Sequence, residues 1–390
     1  MNQGQSVFSQ IISFIPKYEF DKCVKRYNGN YRVRTFTCWE QFLVMSFAQL
    51  TNRESLRDIE VCLSAIGSKL YHSGIRSRVT RSTLADANEL RDWRIYSDFA
   101  TILIQEAKGL YFNDTSFTLD IDNIVYAFDS TTIDLCLSLF PWATFRKTKG
   151  AIKLHTQLDL RGSIPTFIHI TNGDVHDTNA LDFVSFEPGS IYIFDRGYVD
   201  FSRLYTIDQA KSFFVIRARD NLDFRRVSSN TVDKSTGLKV DQTILLNGFY
   251  SFRDYPSEMR RVKYTDPITL ITYTYLTNNF ELPATTIASL YKERWKIELF
   301  FKWIKQHLRI KSFYGTSSNA VYTQVWIAIS NYLLIAILKK KLNIPISLFS
   351  LLQVFSLTLF ERTPLLQLVT KDSYDNIPPS NPNQLVIFDF

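Results

Sequence analysis

The stretch IYIFDRGYVDFSRLYTIDQAKSFFVIR, residues 191–217, decides the fold class. IYIFD (191–195) and FFVIR (213–217) are apolar at successive positions, so both faces of each are buried. Between them, residues 201–210 read as a helix. Strands without polar alternation are the central strands of an α/β sheet, covered by helices on both sides.

Working upstream, IVYAFD (124–129) has the same two-faced apolar character. AIKLHTQLDL (151–160) and IPTFIHIT (164–171) read as strands, and Arg161-Gly162-Ser163 is short enough to make them a hairpin. A helical stretch at 177–186 precedes IYIFD. Three strands, helix, strand, helix, strand and then a later helix is the order of a ribonuclease-H-like fold. Between 217 and 283 the pattern departs from a compact α/β domain. QTILLNGFYSF, RRVKYT and TLITYTYLTN read as strands of a β-rich insertion.

The rest of the chain reads as helical. Thr37 with Glu40 forms a capping box before WEQFLVMSFAQL, and Ser55 with Asp58 opens a second helix. Ser82 opens STLADANELRDWRIYSDFATILIQEAKGL, as one helix or two. Arg76, Arg78 and Arg81 precede it. The arrangement fits a helix-turn-helix-like reader that presents Arg81, Ser82 and Thr83 to a DNA backbone, and fits an ordinary helical bundle equally well. VWIAISNYLLIAIL (325–338) is 14 residues long and carries Ser and Asn, so it reads as a buried helix and no membrane segment is expected. The expected organisation is a helical DNA-binding domain at 1–119, a catalytic core at 120–218 and 284–312, the insertion at 219–283, and a helical region and tail at 313–390.

Lys and Arg exceed Asp and Glu by 45 − 38 = 7. The excess is focused: residues 291–311 hold seven Lys or Arg against two acids, which suggests a polyanionic substrate. Cys23, Cys38, Cys62 and Cys136 lack CxxC spacing, which argues against a zinc site or a disulfide framework and for reduced thiols in a cytosol. The N-terminus has no signal-peptide pattern.

That basic segment begins YKERWKIELFFKWIK (291–305). Tyr291, Arg294, Glu298 and Lys305 return to one side of a helix. Leu290, Ile297, Phe301, Ile304 and Leu308 form an apolar stripe on one flank, Trp295 and Leu299 lie on the other, and Glu293, Lys296 and His307 face outward. A surface ion pair between Arg294 and Glu298 is the alternative. Two of the apolar strands end in acids, Asp129 within FDSTT and Asp195 within FDRGY, placing carboxylates at the sheet edge where α/β ligands bind. Strand-end turns account for each Asp singly. With Glu298 they make three hard oxygen donors, suited to Mg²⁺ or Mn²⁺. Two ions about 3.5–4 Å apart suit an in-line phosphoryl displacement. Lys153, His155 and Gln157 share a strand face that reads as exposed and polar, and Asp177 reads as a helix cap beside His176.

FDSTT, FDRGY and the Tyr-(2)-Arg-(3)-Glu-(6)-Lys helix together resemble the bacterial insertion-sequence DDE transposases of the insertion-sequence-four type, defined by that signature. The gap of 298 − 195 = 103 residues before Glu298 is similar to theirs, and STLADANELRDW resembles the N-terminal domain of one subgroup. The resemblance implies that Asp129, Asp195 and Glu298 are the metal-binding catalytic triad. It implies that Tyr291, Arg294 and Lys305, with Lys302 beside them, contact DNA near the element's end. It further implies hydrolysis at the ends, joining of the freed 3′-hydroxyl to target DNA, a homodimer holding two ends of double-stranded DNA, and action in the bacterial cytoplasm. Some relatives form a DNA hairpin aided by a Trp in the β insertion; this chain has no Trp between Asp195 and Trp295. A DNA-binding protein without strand-transfer activity and a metal-dependent nuclease are the competing readings.

Overall fold

The computed structural model describes residues 4–76, 78–114, 119, 121–307 and 313–369. Among the described residues, seven α-helices precede the first strand: α1 (Val7–Ile12), α2 (Lys17–Arg26), α3 (Cys38–Leu50), α4 (Leu56–Ala65), α5 (Gly67–Leu70), α6 (Arg81–Leu90) and α7 (Arg94–Tyr111). The capping box at α3 is present in both directions. Glu40 N–H donates to the Thr37 hydroxyl at 3.2 Å, and Thr37 N–H donates to the Glu40 carboxylate at 3.0 Å. Thr37→Ala should cost about 1 kcal/mol, read as a lower urea midpoint with an unchanged slope. Ser55 caps α4 as expected. The segment after Ser77 is two helices, and Thr80 rather than Ser82 supplies the cap.

Ten strands follow among the described residues: β1 (Val125–Leu135), β2 (Thr144–Arg146), β3 (Lys149–Asp159), β4 (Ile164–Asn172), β5 (Ile191–Phe194), β6 (Phe213–Arg217), β7 (Phe224–Ser229), β8 (Leu238–Leu246), β9 (Met259–Thr265) and β10 (Thr272–Thr277). They form one sheet in the order β2-β3-β1-β5-β6-β10-β9-β8-β7, with β4 also paired to β3. β1, β5 and β6 run parallel, and their neighbours are antiparallel. Helix α8 (Phe201–Gln209) makes the crossover from β5 to β6. The β-rich segment is therefore hydrogen-bonded edge to edge onto the core sheet through β10 and β6. Within it, FYSFRD is a helix, α9 (Phe249–Asp254), and not the end of the strand QTILLNGFYSF. Gly162 (φ +79°) and Ser163 (φ +56°) turn the β3–β4 hairpin in the left-handed region.

Alternate residues of the central strands enter two cores. Val125, Ala127, Ile191, Ile193 and Val215 join the large helical core, whereas Tyr126, Phe128, Tyr192, Phe194, Phe214 and Ile216 pack with Leu204 and Ile207 of α8. The helices after the sheet are α10 (Ala284–Glu293), α11 (Trp295–His307), α12 (Ser318–Lys341), α13 (Leu348–Thr358) and α14 (Leu365–Val369). α12 is long and apolar enough to cross a membrane, yet it lies inside the protein, buried along nearly its whole length. It packs on α3, α6 and α7. Helix α1 meets residues 359–365 beside it: Val7 N–H donates to Glu361 O at 2.9 Å, Phe8 N–H to Leu359 O at 2.8 Å, and Leu365 N–H to Gln10 Oε1 at 3.0 Å. The tail from Asp372 and position Leu308 lie outside the described residues.

Candidate active site

Asp129 and Asp195 reach the same place through strand register. Phe128 of β1 stands opposite Phe194 of β5 on parallel neighbours, so the residues that follow, Asp129 and Asp195, emerge side by side. Asp195 directly follows its strand. Asp129 does not end β1, which continues to Leu135 paired with β3; what ends at Asp129 is the fully buried part. The polar, β-branched Thr131 and Thr132 keep a strand conformation that an apolar pattern does not register.

The segment carrying Tyr291, Arg294, Glu298 and Lys305 is two successive helices with a break at Arg294, not one. Arg294 N–H donates to Tyr291 O at 3.2 Å and Ile297 N–H to Arg294 O at 3.1 Å, three-residue bonds that tighten the chain there. The four side chains still face the sheet. Arg294 forks between two acids, Nη1 to Asp129 Oδ2 at 3.0 Å and Nη2 to Glu298 Oε1 at 2.6 Å. The Tyr291 hydroxyl donates to Asp195 Oδ1 at 3.2 Å, and Lys305 Nζ donates to the Thr132 carbonyl at 2.7 Å. Leu290, Ile297, Phe301 and Ile304 are buried as expected, and Phe300 and Trp303 join them. The other flank differs. Trp295 and Leu299 are exposed, in line with Lys292 and Lys302, whereas Glu293 and Lys296 are half-buried and paired with each other at 2.7 Å. A wide buried face, 290 through 304, turns the helix so that its opposite side is the 292–295–299–302 row.

Burial pushes the Asp129 carboxyl up to about 6. The Ser130 N–H, 2.8 Å from Asp129 Oδ1, and Arg294 draw it down, and the charges of Asp195 and Glu298 raise it again. Burial likewise pushes Tyr291 up to about 12, so it stays protonated and donates to Asp195. Among the described residues, no three His, Cys, Asp or Glu side chains stand close enough to hold one metal ion. The convergence of three carboxylates expected from the sequence is thus interrupted by a guanidinium, whose charge offsets their repulsion.

A cleft of about 490 Å³ opens beside Asp195 between α10 and the added strands, lined by Arg217, Tyr264, Tyr273, Tyr275, Tyr291, Lys292, Arg294 and Trp295. Tyr273 and Tyr275 stack at 6.1 Å, Tyr275 meets Tyr291 at 4.7 Å, and Arg217 lies 5.3 Å over the Tyr273 ring. Arg217, Tyr273 and Tyr275 belong to no sequence motif; the one signal is Arg217 closing FFVIR next to the Asp195 strand. Of Lys153, His155 and Gln157, read as an exposed face, His155 and Gln157 are buried and Lys153 is half-buried; Asp177 stands against Lys153 and His155, and Gln157 bonds Thr166 of β4. There His176, not Asp177, caps the 3-10 helix Asp177–Phe183. At the N-terminus, Arg81 and Ser82 are exposed, and the Ser82 and Thr83 hydroxyls lie 3.0 and 2.9 Å from that of Thr80, inside its cap.

Residues 121–334 match the family described as transposase DDE domain, and residues 3–76 match a domain of unknown function (DUF4372). The chain is 31% identical to transposase y4zB of Sinorhizobium fredii over 77% of its own length and 81% of that protein. It is 30% identical to a transposase for insertion sequence element IS5377 of Geobacillus stearothermophilus over 58% and 61% of the two chains. The structure is loosely similar to piggyBac transposase in a synaptic complex with hairpin DNA, with 13% identity and a TM-score of 0.44 over 96% of this chain and 84% of that one, a likeness that carries no argument. On the span of the family match and the length shared with y4zB, the chain belongs to the DDE transposase family, enzymes of DNA transposition.

Proposed function

We propose that the chain binds the terminal inverted repeats of its own insertion sequence, cleaves phosphodiesters at the element's ends and transfers the 3′-hydroxyl ends into target DNA, with Asp129, Asp195 and Glu298 as the catalytic acids. The observation that carries the reading is the emergence of Asp129 and Asp195 from paired parallel strands, with Glu298 linked to Asp129 through one guanidinium. The strand order β4-β3-β1-β5-β6, antiparallel then parallel, supports a ribonuclease-H-like core over 120–218 and 284–312. It is preceded by a DNA-binding region at 1–119, extended by the strands of 219–283 and followed by helices from 313. The Tyr-Arg-Glu-Lys spacing supports placing the chain in the insertion-sequence-four type.

The acids fit a pair of Mg²⁺ or Mn²⁺ ions in donor type, being hard oxygens. Burial chiefly pushes the Asp129 carboxyl up to about 6, with the charges of Asp195 and Glu298 adding to it, so a cation bound among these acids would favour its ionised form. Bound there, divalent ions would activate water or a 3′-hydroxyl and stabilise the leaving oxygen. In this reading Arg294 supplies the compensating charge between Asp129 and Glu298 and is the group that would contact a DNA phosphate beside them. Tyr291 orients Asp195. Lys305 fixes β1 through the Thr132 carbonyl and lies, with Lys302, along the phosphate path. Arg81, Ser82 and Thr83 contact the backbone from the N-terminal region. The enzyme acts in the cytoplasm as a dimer holding two ends.

The test is incubation of purified protein and Mg²⁺ with duplexes ending in the sequences that flank its gene, plus a plasmid target. Cleaved ends joined to plasmid are expected. Cleavage without joining would leave a nuclease, and binding without cleavage a DNA-binding protein. Light scattering of the DNA complex checks the dimer.

A further inference from the structure

Behind the strand that carries Asp129, on the face away from α11, lies a polar cluster that the proposed chemistry does not use: His155 is fully buried, Lys153 largely so, and Asp177 is about a third exposed. The Ser130 hydroxyl donates to Asp177 Oδ1 at 2.8 Å. Lys153 Nζ stands 3.1 Å from the same oxygen and donates to the Val175 carbonyl at 2.7 Å. His155, opposite Ser130 in the β1–β3 register, is fully buried. Its Nε2 is 3.0 Å from the Thr171 hydroxyl, and its Nδ1 has no hydrogen-bond partner and lies 3.9 Å from Asp177 Oδ1. Placing a lysine and a histidine here costs desolvation that an apolar layer would avoid. Ser130 is the link to the other face: its hydroxyl is on Asp177, and its N–H is on the Asp129 carboxylate at 2.8 Å.

We infer that Asp177 is a positioning residue for Asp129, acting through Ser130, with Lys153 holding Asp177 in place. This rests on the assignment of Asp129 as a catalytic acid. The half-buried run 129–132 is then fixed at three points within four residues: Asp129 by Arg294, Ser130 by Asp177, and Thr132 by Lys305. Fixing the Ser130 hydroxyl fixes the pitch of its peptide N–H, and so the rotamer of the carboxylate that accepts from it.

Asp177→Ala, Asp177→Asn, Ser130→Ala and the Ser130→Ala/Asp177→Ala pair are compared in single-turnover cleavage of the flanking-sequence duplex with Mg²⁺, beside Asp129→Asn. Asp177→Ala and Ser130→Ala each should lower the rate at saturating DNA about 10- to 100-fold, with DNA affinity within about twofold of wild type. The double variant should be no slower than the slower single, because both cut one relay. Asp177→Asn, whose amide oxygen still accepts from Ser130, should recover most of the rate, which a merely structural loss would not do. Wild-type rates in Ser130→Ala, or losses that multiply in the double variant, would overturn the inference. If Asp177→Ala does not fold, Ser130→Ala and Asp177→Asn decide it alone. Full cleavage by Asp129→Asn would instead sink the active-site assignment.

Discussion

Asp129→Asn, Asp195→Asn and Glu298→Gln should each cleave terminal DNA at least about 1,000-fold more slowly than wild type while still binding it. Charge stabilisation by a metal ion is worth several kcal/mol, and about 4 kcal/mol corresponds to three decades of rate. The Asp129 variant carries a second, opposite signature. Its carboxyl is raised from 3.8 to about 6, chiefly by burial. For an acid whose folded value lies above its unfolded value, the ionised form is disfavoured by folding. Metal-free wild type should therefore lose stability from this group as pH rises from about 4 to 6, by up to about 3 kcal/mol. Asp129→Asn should melt higher than wild type at pH 7.5 and lack that component of the pH profile. Gel-based cleavage, DNA affinity and melting across pH 4–8 together check this; unchanged cleavage, or a variant that melts lower, refutes it.

The largest loss of stability is expected at Asp241. On β8 it accepts from Arg260 of β9 through both oxygens, at 2.8 and 2.9 Å, with both side chains buried. Arg260 also donates to the Leu282 carbonyl at 2.5 Å and the Asn279 carbonyl at 3.3 Å, just before α10. The pair therefore sets where the helix bearing Tyr291 begins. Asp241→Ala leaves the guanidinium buried without its counter-charge and should cost about 3–5 kcal/mol, a large part of a usual folding free energy. Asp241→Leu with Arg260→Met should recover most of it, since burying two ions is itself expensive. Although burial alone would raise the Asp241 carboxyl, the Arg260 and Asn230 hydrogen bonds bring it below its ordinary value. Its contribution is thus complete above about pH 4 and fades as acid protonates it. Denaturant titration at pH 7 and pH 3 should show the gap between wild type and the apolar double variant shrinking or reversing in acid.

The central strands and the pairing of Asp129 with Asp195 were legible because burial on both faces writes an unbroken apolar run. Three features were not. Alternation at Lys153, His155 and Gln157 announces a polar face but not whether another layer covers it; here the 177–183 turn does. The break at Arg294 leaves the helical periodicity almost intact, so nothing in the spacing marks it. The aromatics of FYSFRD favour a strand by propensity, whereas the segment after Gly248 forms a helix of 6 residues before β9.

The contact of α1 with residues 359–365 orders events during synthesis. α3, α6 and α7 wait for α12, which begins 318 − 111 = 207 residues after α7 finishes, and α1 waits longer, for residues 359–365. At roughly 5–20 residues per second that interval lasts roughly 10–40 s. Every strand residue, through Thr277, is synthesised before α12 can close the helical layer, so the sheet's helix-covered face waits longest for its partner.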